Sequence, residues 1–270
     1  MDWKAFFDRL GMNGTRWQWR IMKWQRNLRN LSQAQAVTTS ISVSKTLIII
    51  NVTLFALMVL WGMVKGLGAG TLMNPDGPQL HFFGAQYWPS VLAEGEWWRC
   101  ITYAFTHSGL VHLGFNMVVL YQIGPMLERE IGAIRFIILY VLTALTATVA
   151  GLIWQLFIVE QWILVVGASG SLFGLIGFSI SYFHRAGVHH FRNQMLTWAA
   201  FAFIFGIVIG ADNAAHLGGG LGGALLGLII PLGVRGSQRL RLAFNTLGGI
   251  CIIATAASLL SMVGYWFTHM

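Results

Sequence analysis

At 270 residues, 56% hydrophobic and only 10% charged, the chain falls outside the soluble globular class, in which about a quarter of residues are charged. Its net charge of +8 does not point to nucleic acid, because the basic residues lie in short clusters between apolar runs, as the positive-inside rule requires of a membrane protein. Of its two cysteines, Cys100 lies in a loop and Cys251 deep in the last apolar run, so no disulfide framework is expected.

In chain order, residues 1–45 are basic and rich in tryptophan, with no pattern of a cleavable signal. Trp17, Ile21, Trp24 and Leu28 form one helical stripe beside Arg16, Arg20, Lys23 and Arg26. Two readings follow: a helix lying on an anionic membrane face, or a cytoplasmic tail that fixes orientation. Seven apolar runs come next, at 46–64, 110–127, 136–159, 164–183, 194–210, 211–234 and 242–266, each near the length of a membrane-crossing helix. The short alternating strands of a β-barrel are missing. The expected fold is therefore an all-α integral membrane protein, a polytopic bundle of about seven transmembrane helices.

With the N-terminus inside, the cytoplasmic segments hold Lys4, Arg9, Arg16, Arg20, Lys23, Arg26, Arg29, Lys45, Arg129, Arg135, Arg185, Arg192, Arg235, Arg239 and Arg241, which is 15 of the 17 Lys+Arg. Only Lys65 and Arg99 fall outside. That asymmetry predicts a cytoplasmic N-terminus and an outside C-terminus. The one long connection, 65–109, becomes an outer loop whose aromatics predict short helices in the membrane interface.

Polar groups inside the runs mark function, because they are costly in hydrocarbon. Ser169 is the sixth residue of the fourth run and His216 the sixth of the sixth run, so both are expected about 7.5 Å below the outer helix ends. His112 and Asn116 share one face of the second run at i, i+4. Gly170 and Gly174, with Gly218, Gly219, Gly222 and Gly223, give GxxxG spacings that let the two runs approach. Serine in a small-residue stripe often only packs, and a membrane histidine often only bridges helices. A nucleophile, a base and two donors at matching depth together suggest acyl transfer to a serine. Asp212 is read as a cap for the sixth run in preference to a third triad member. His184, His189 and His190 have no carboxylate or cysteine near them and are read as a solvated loop, so neither metal nor cofactor is expected.

Five ordered pieces carry a family likeness: Gly95-Glu96-Trp97-Trp98-Arg99, His112-Leu113-Gly114-Phe115-Asn116, Glu128-Arg129 with Gly132, Gly167-Ala168-Ser169-Gly170, and Ala215-His216-Leu217-Gly218-Gly219. Over residues 46–234 the chain resembles the rhomboid family of intramembrane serine proteases. The resemblance implies a six-helix catalytic core at 46–234, with a further helix at 235–270 in a six-plus-one arrangement. It implies Ser169 as nucleophile and His216 as general base and then acid, with His112, Asn116 and the Ser169 backbone N–H as the oxyanion hole. Trp98 and Arg99 would anchor the outer loop, and Glu128 with Arg129 would brace the inner end of the second helix. Phe173 stands one turn after Ser169, where the family often has tyrosine, so stacking under the histidine is expected without a hydroxyl. The implied substrates are single-pass transmembrane proteins cut near the outer face, with lipid as the other partner and a bacterial plasma membrane as the location. Two rival readings are a silent rhomboid-like protein that binds client helices and a small-molecule transporter.

Overall fold

The computed structural model describes residues 42–208, 212–232 and 240–269, together with Thr15. The tryptophan stripe of residues 17–28 lies outside the described residues. Within them the chain is all-helical, apart from one isolated antiparallel bridge between Gln86 and Val165. We number the helices α1 (Val43–Val64), α2 (Gly77–Phe82), α3 (Trp88–Ala93), α4 (Arg99–Thr102), α5 (Leu110–Ile131), α6 (Ala133–Trp154), α7 (Ser169–Arg185), α8 (His189–Val208), α9 (Asn213–Ile229) and α10 (Arg241–His269).

Four of these, α1, α5, α6 with its π-helical extension to Val159, and α10, are long and apolar enough to cross a membrane. The others differ for simple reasons. α7 and α9 have 17 residues each, short of the roughly 20 that a span needs, and α8 opens on the polar His189, His190, Arg192 and Asn193. The long loop does contain short helices: α2 to α4, with 3-10 turns at Ala69–Leu72 and Tyr103–Phe105.

The depth count from the sequence is overturned. Residues 164–168 are not helical, because Val165 pairs with Gln86 and Gly167 sits at φ +111°, a left-handed backbone that suits glycine. Ser169 is therefore the first residue of α7, and His216 the fourth of α9. The α9 start is set by Asp212, whose carboxylate accepts from the Ala215 N–H at 3.0 Å.

α7, α9 and α6 form the centre. A Cβ on Gly219 would sit on the carbonyl oxygen of Gly170, one on Gly223 on that of Gly174, and one on Gly177 on that of Gly220. The two helices thus touch backbone to backbone. A second glycine face of α9 meets α6, where Gly218 faces Ala150 and Gly222 faces Thr146. At the far end Arg185 Nη1 donates to the carbonyls of Gly227 and Ile230, 2.7 and 2.9 Å away, where α9 runs out of its own donors.

α1 is tied on by Glu128 of α5. Its carboxylate accepts from Val43 N–H (2.7 Å), Ser44 N–H (3.0 Å) and the hydroxyls of Ser42 (2.9 Å) and Ser44 (2.7 Å). A negative charge thereby meets the unpaired N–H groups that open α1. Arg129 is exposed, and its Nε donates to Pro125 O at the C-terminal end of the same helix.

The α7–α9 contact yields a test between neighbouring glycines. Gly219→Ala and Gly223→Ala should each cost about 1–3 kcal/mol by overpacking. Gly220→Ala should cost nothing and can gain up to about 1 kcal/mol of helix propensity, since its Cβ would meet only Phe173 O at 3.8 Å. Thermal midpoints in detergent should fall for the first two alone; equal falls for all three would refute the interlock.

Candidate active site

The site forms where α7 and α9 begin. The backbone contact brings Ser169 Oγ to 2.9 Å from His216 Nε2. On the other side of the ring, His216 Nδ1 lies 3.1 Å from Asn213 Oδ1. An amide oxygen only accepts, so the proton sits on Nδ1, leaving Nε2 to accept from the serine hydroxyl. Phe173, one turn after Ser169, stacks on the ring at 4.3 Å between centroids and 12° between planes, the contact that the family likeness implies. His216 is only 6% exposed, and Gly206 of α8 closes over it: a Cβ there would stand 2.6 Å from Asn213 Oδ1 and 3.4 Å from the imidazole. A ring fixed by a hydrogen bond, a stack and a helix backbone keeps one orientation.

His112 and Asn116 come from the first two turns of α5. Both flank Gly167: its missing Cβ would fall 2.7 Å from His112 Nε2 and 3.7 Å from Asn116 Nδ2. A side chain at 167 would displace the His112 ring. Ser108 Oγ holds His112 Nδ1 at 2.9 Å, and Asn116 Nδ2 donates to His112 O at 3.0 Å. The N–H of Ser169 belongs to the first turn of α7, where N–H groups have no acceptor within the helix and the helix dipole favours negative charge. The structure therefore gathers Ser169, His216, Phe173, His112 and Asn116 around one point. A hydroxyl beside a neutral imidazole can lose its proton while attacking a carbonyl, and donors at a helix start can take up the charge that develops.

Trp98 and Arg99 stand apart from this cluster, in the long loop. Arg99 is fully buried; it pairs with Glu96, and its Nη1 donates to the carbonyls of His81 and Ala85. Its guanidinium lies over the Trp98 ring at 4.3 Å and over Tyr265 of α10 at 5.1 Å. The loop in turn holds the chain entering α7: Gln86 and Val165 exchange two hydrogen bonds of 2.9 Å, and Gly167 N–H donates to Tyr103 O at 2.9 Å. Sequence reasoning missed Asn213, whose i−3 spacing from His216 was the available signal, and Ser108, at i−4 from His112. It had no signal for Tyr103 or Tyr265. No group of three His, Cys, Asp or Glu among the described residues is placed to hold a metal, and His184 instead faces Arg192 Nη1 at 3.0 Å.

Comparison with known proteins gives a consistent set of relatives. The rhomboid domain family matches residues 94–232, a stretch that contains all the residues gathered at the site. The chain is 26% identical over 263 residues to the rhomboid protease AarA of Providencia stuartii, covering 88% of this chain and 86% of that protein. It is 30% identical over 183 residues to the rhomboid protease GluP of Bacillus subtilis (strain 168), covering 66% of this chain and 34% of GluP. With RHOMBOID-like protein 2 of Arabidopsis thaliana it shares 33% identity over 167 residues, covering 59% of this chain and half of that protein.

His107, in the long loop, packs edge-on against His112 with centroids 5.1 Å apart. It is fully buried, and both ring nitrogens lack a hydrogen-bond partner among the described residues. Burial first, and then the nearby His112, pull its pKa down to about 3. The unfolded chain takes up this proton near pH 6.5, so between those values the unfolded state binds more protons. Stability should fall as pH drops below about 6.5, with His107 contributing up to about 1.4 kcal/mol per pH unit. Thermal midpoints measured from pH 7 to 5 should fall less steeply in His107→Phe than in the parent; parallel curves would refute the assignment.

Proposed function

The chain belongs to the rhomboid family, and from that premise we propose that it is an intramembrane serine endopeptidase working through a Ser169–His216 dyad. It is a membrane-embedded protease by family. The observation that carries the finer reading is the 2.9 Å contact from Ser169 Oγ to His216 Nε2, with Asn213 fixing the tautomer. Ser169 Oγ attacks the scissile carbonyl while Nε2 takes its proton. His112 Nε2, Asn116 Nδ2 and the Ser169 N–H stabilise the oxyanion. His216 then returns the proton to the leaving amine. A water, deprotonated by the same nitrogen, releases the acyl group from Ser169.

The membrane arrangement follows from charge and length. Seven spans, α1 and α5 to α10, would form a six-helix core at 46–234 and an added helix at 235–270, behind the basic segment 1–45. The 15 of 17 basic residues on one side favour a cytoplasmic N-terminus and an outside C-terminus, in a bacterial plasma membrane. α7 and α9 are each about 25 Å long against roughly 30 Å of hydrocarbon. With Arg185 at the inner interface, their first turns lie about 5 Å inside the outer face. Water reaches that level readily, and a single-pass client can present its outward segment there.

Ser169→Ala and His216→Ala should each abolish cleavage of a membrane client without loss of folding, since nucleophile and base act as a unit. A fluorophosphonate should label Ser169 in the purified protein. Absence of labelling, with both variants as active as the parent or all three inert, would favour a silent client-binding protein or a transporter. Asn213→Ala, His112→Ala and Asn116→Ala should lower kcat roughly 10- to 1000-fold with little change in KM. A raised KM at constant kcat would move that residue to substrate binding.

The place of the cut is a separate test. A regular helix hides its carbonyls, so the scissile bond should lie in the outward part of the client's span, near Gly or other helix-weakening residues. Mass spectrometry of the fragments locates it. Replacing nearby Gly or Pro with Leu should slow cleavage; a cut at the inward end, or indifference to those replacements, would overturn the proposed depth.

A further inference from the structure

We propose that the last turns of α10, through Tyr265 and Trp266, position the active site from outside it, by closing the loop segment that carries the chain into α7. This rests on the reading of Ser169 as the nucleophile.

The segment 82–86 has each successive backbone group held by a residue from elsewhere in the chain. Phe82 O accepts from Trp266 Nε1 at 2.8 Å, Phe83 O from Thr106 Oγ1 at 2.6 Å, and Gly84 O from Thr102 Oγ1 at 2.8 Å. Ala85 O accepts from Arg99 Nη1 at 3.1 Å, and Gln86 exchanges two bonds with Val165. Two of these five holds depend on α10. Trp266 supplies one directly, across 184 residues of sequence, and packs on Phe83 at 4.9 Å. Tyr265 supplies the other by packing on the Arg99 guanidinium, which also lies over Trp98. Gly84, at φ +95°, leaves room for the Met262 sulfur where a side chain would stand.

The route to the site is short. Gln86 fixes Val165, Gly167 follows two residues later with its N–H on Tyr103 O, and Ser169 two residues after that. An open groove lined by Trp97, Trp98, Ala254 and Ser258 runs beside this contact. A displacement of about 1 Å at residues 165–167 would spoil the approach of Ser169 Oγ to a carbonyl and the aim of the oxyanion donors, with little change in client affinity.

The test uses the full chain in detergent or lipid nanodiscs with a cleavable membrane client, at a temperature well below every variant's midpoint. Ser169→Ala comes first: if it still cleaves, the nucleophile assignment fails, and that result is distinct from failure of the present inference. With Ser169→Ala inactive, the pair Tyr265→Ala with Trp266→Ala should lower kcat about tenfold, with KM within about twofold, and slow fluorophosphonate labelling of Ser169 by the same factor. Tyr265→Phe, which keeps the ring over Arg99, should restore kcat to within about twofold of the parent. Should the double variant not fold, Trp266→Phe, which loses only the bond to Phe82 O, should still lower kcat about two- to fivefold. Unchanged kcat and labelling in a folded double variant would overturn the proposal. So would a rise in KM at constant kcat, which would make this end of α10 a client-docking surface.

Discussion

The site depends on two helices touching backbone to backbone. In the proposed seven-span arrangement lipid gives apolar helices no hydrophobic reason to associate, so α7 and α9 would gain their contact from close packing. Carbonyls of Gly170, Gly174 and Gly220 face positions where the partner helix has no side chain, and one methyl group at Gly219 or Gly223 would already collide. Because the contact begins in the first turns, it fixes how Ser169 and His216 stand to each other. α9 spends a second glycine face on α6, so the helix carrying the histidine is held on two sides. The same small residues therefore serve packing and chemistry, which is why a serine in such a stripe is ambiguous until its depth and partner are known.

Charge is scarce in this chain, and Glu128, Arg99 and Arg185 each tie together backbone groups of other elements. Glu128 gathers four donors where α1 begins; Arg99 spans Glu96, two carbonyls and two aromatic faces; Arg185 receives the last carbonyls of α9. An ion left without such partners in a weakly polar interior costs several kcal/mol, so these ties are obligatory once the charge is there. They join elements far apart in sequence. The 82–86 segment shows the consequence: it closes the end of α2, and its carbonyls are held by side chains and backbone from distant parts of the chain.

Periodic features were legible in the sequence. The apolar runs locate the long helices, the four-residue glycine spacing marks the α7–α9 contact, and the i, i+4 placing of His112 and Asn116 puts both beside Gly167. The stack of Phe173 on His216 was implied by the family likeness and not by periodicity. What failed was the assumption that an apolar run is helical throughout. Residues 164–168 are apolar yet outside the helix, because a bridge to Gln86 and the left-handed Gly167 hold them so, and the count of six residues to Ser169 measured no helical depth. Non-local contacts were also out of reach. Nothing in the local pattern of Tyr265 or Trp266 indicates a partner 160 or more residues away.

The division of labour between Asp212 and Asn213 bears on the proposed chemistry. Two adjacent polar residues precede His216, and the carboxylate of Asp212 is taken up in capping the Ala215 N–H, a place where the helix dipole welcomes negative charge. The neutral amide of Asn213 is left to face the imidazole. Either group can hold a proton on Nδ1, so either can set the tautomer that leaves Nε2 free. A carboxylate against the ring, under Phe173 and Gly206, would have to be stripped of water and would stand unbalanced whenever the imidazole is neutral. An amide avoids that standing cost and gives up only the added attraction for the transient imidazolium. For a site walled by apolar helices, a serine and a histidine oriented by a neutral residue is therefore the less expensive arrangement, and in the proposed chemistry the donors on α5 and at the start of α7 would be left to stabilise the charge that develops.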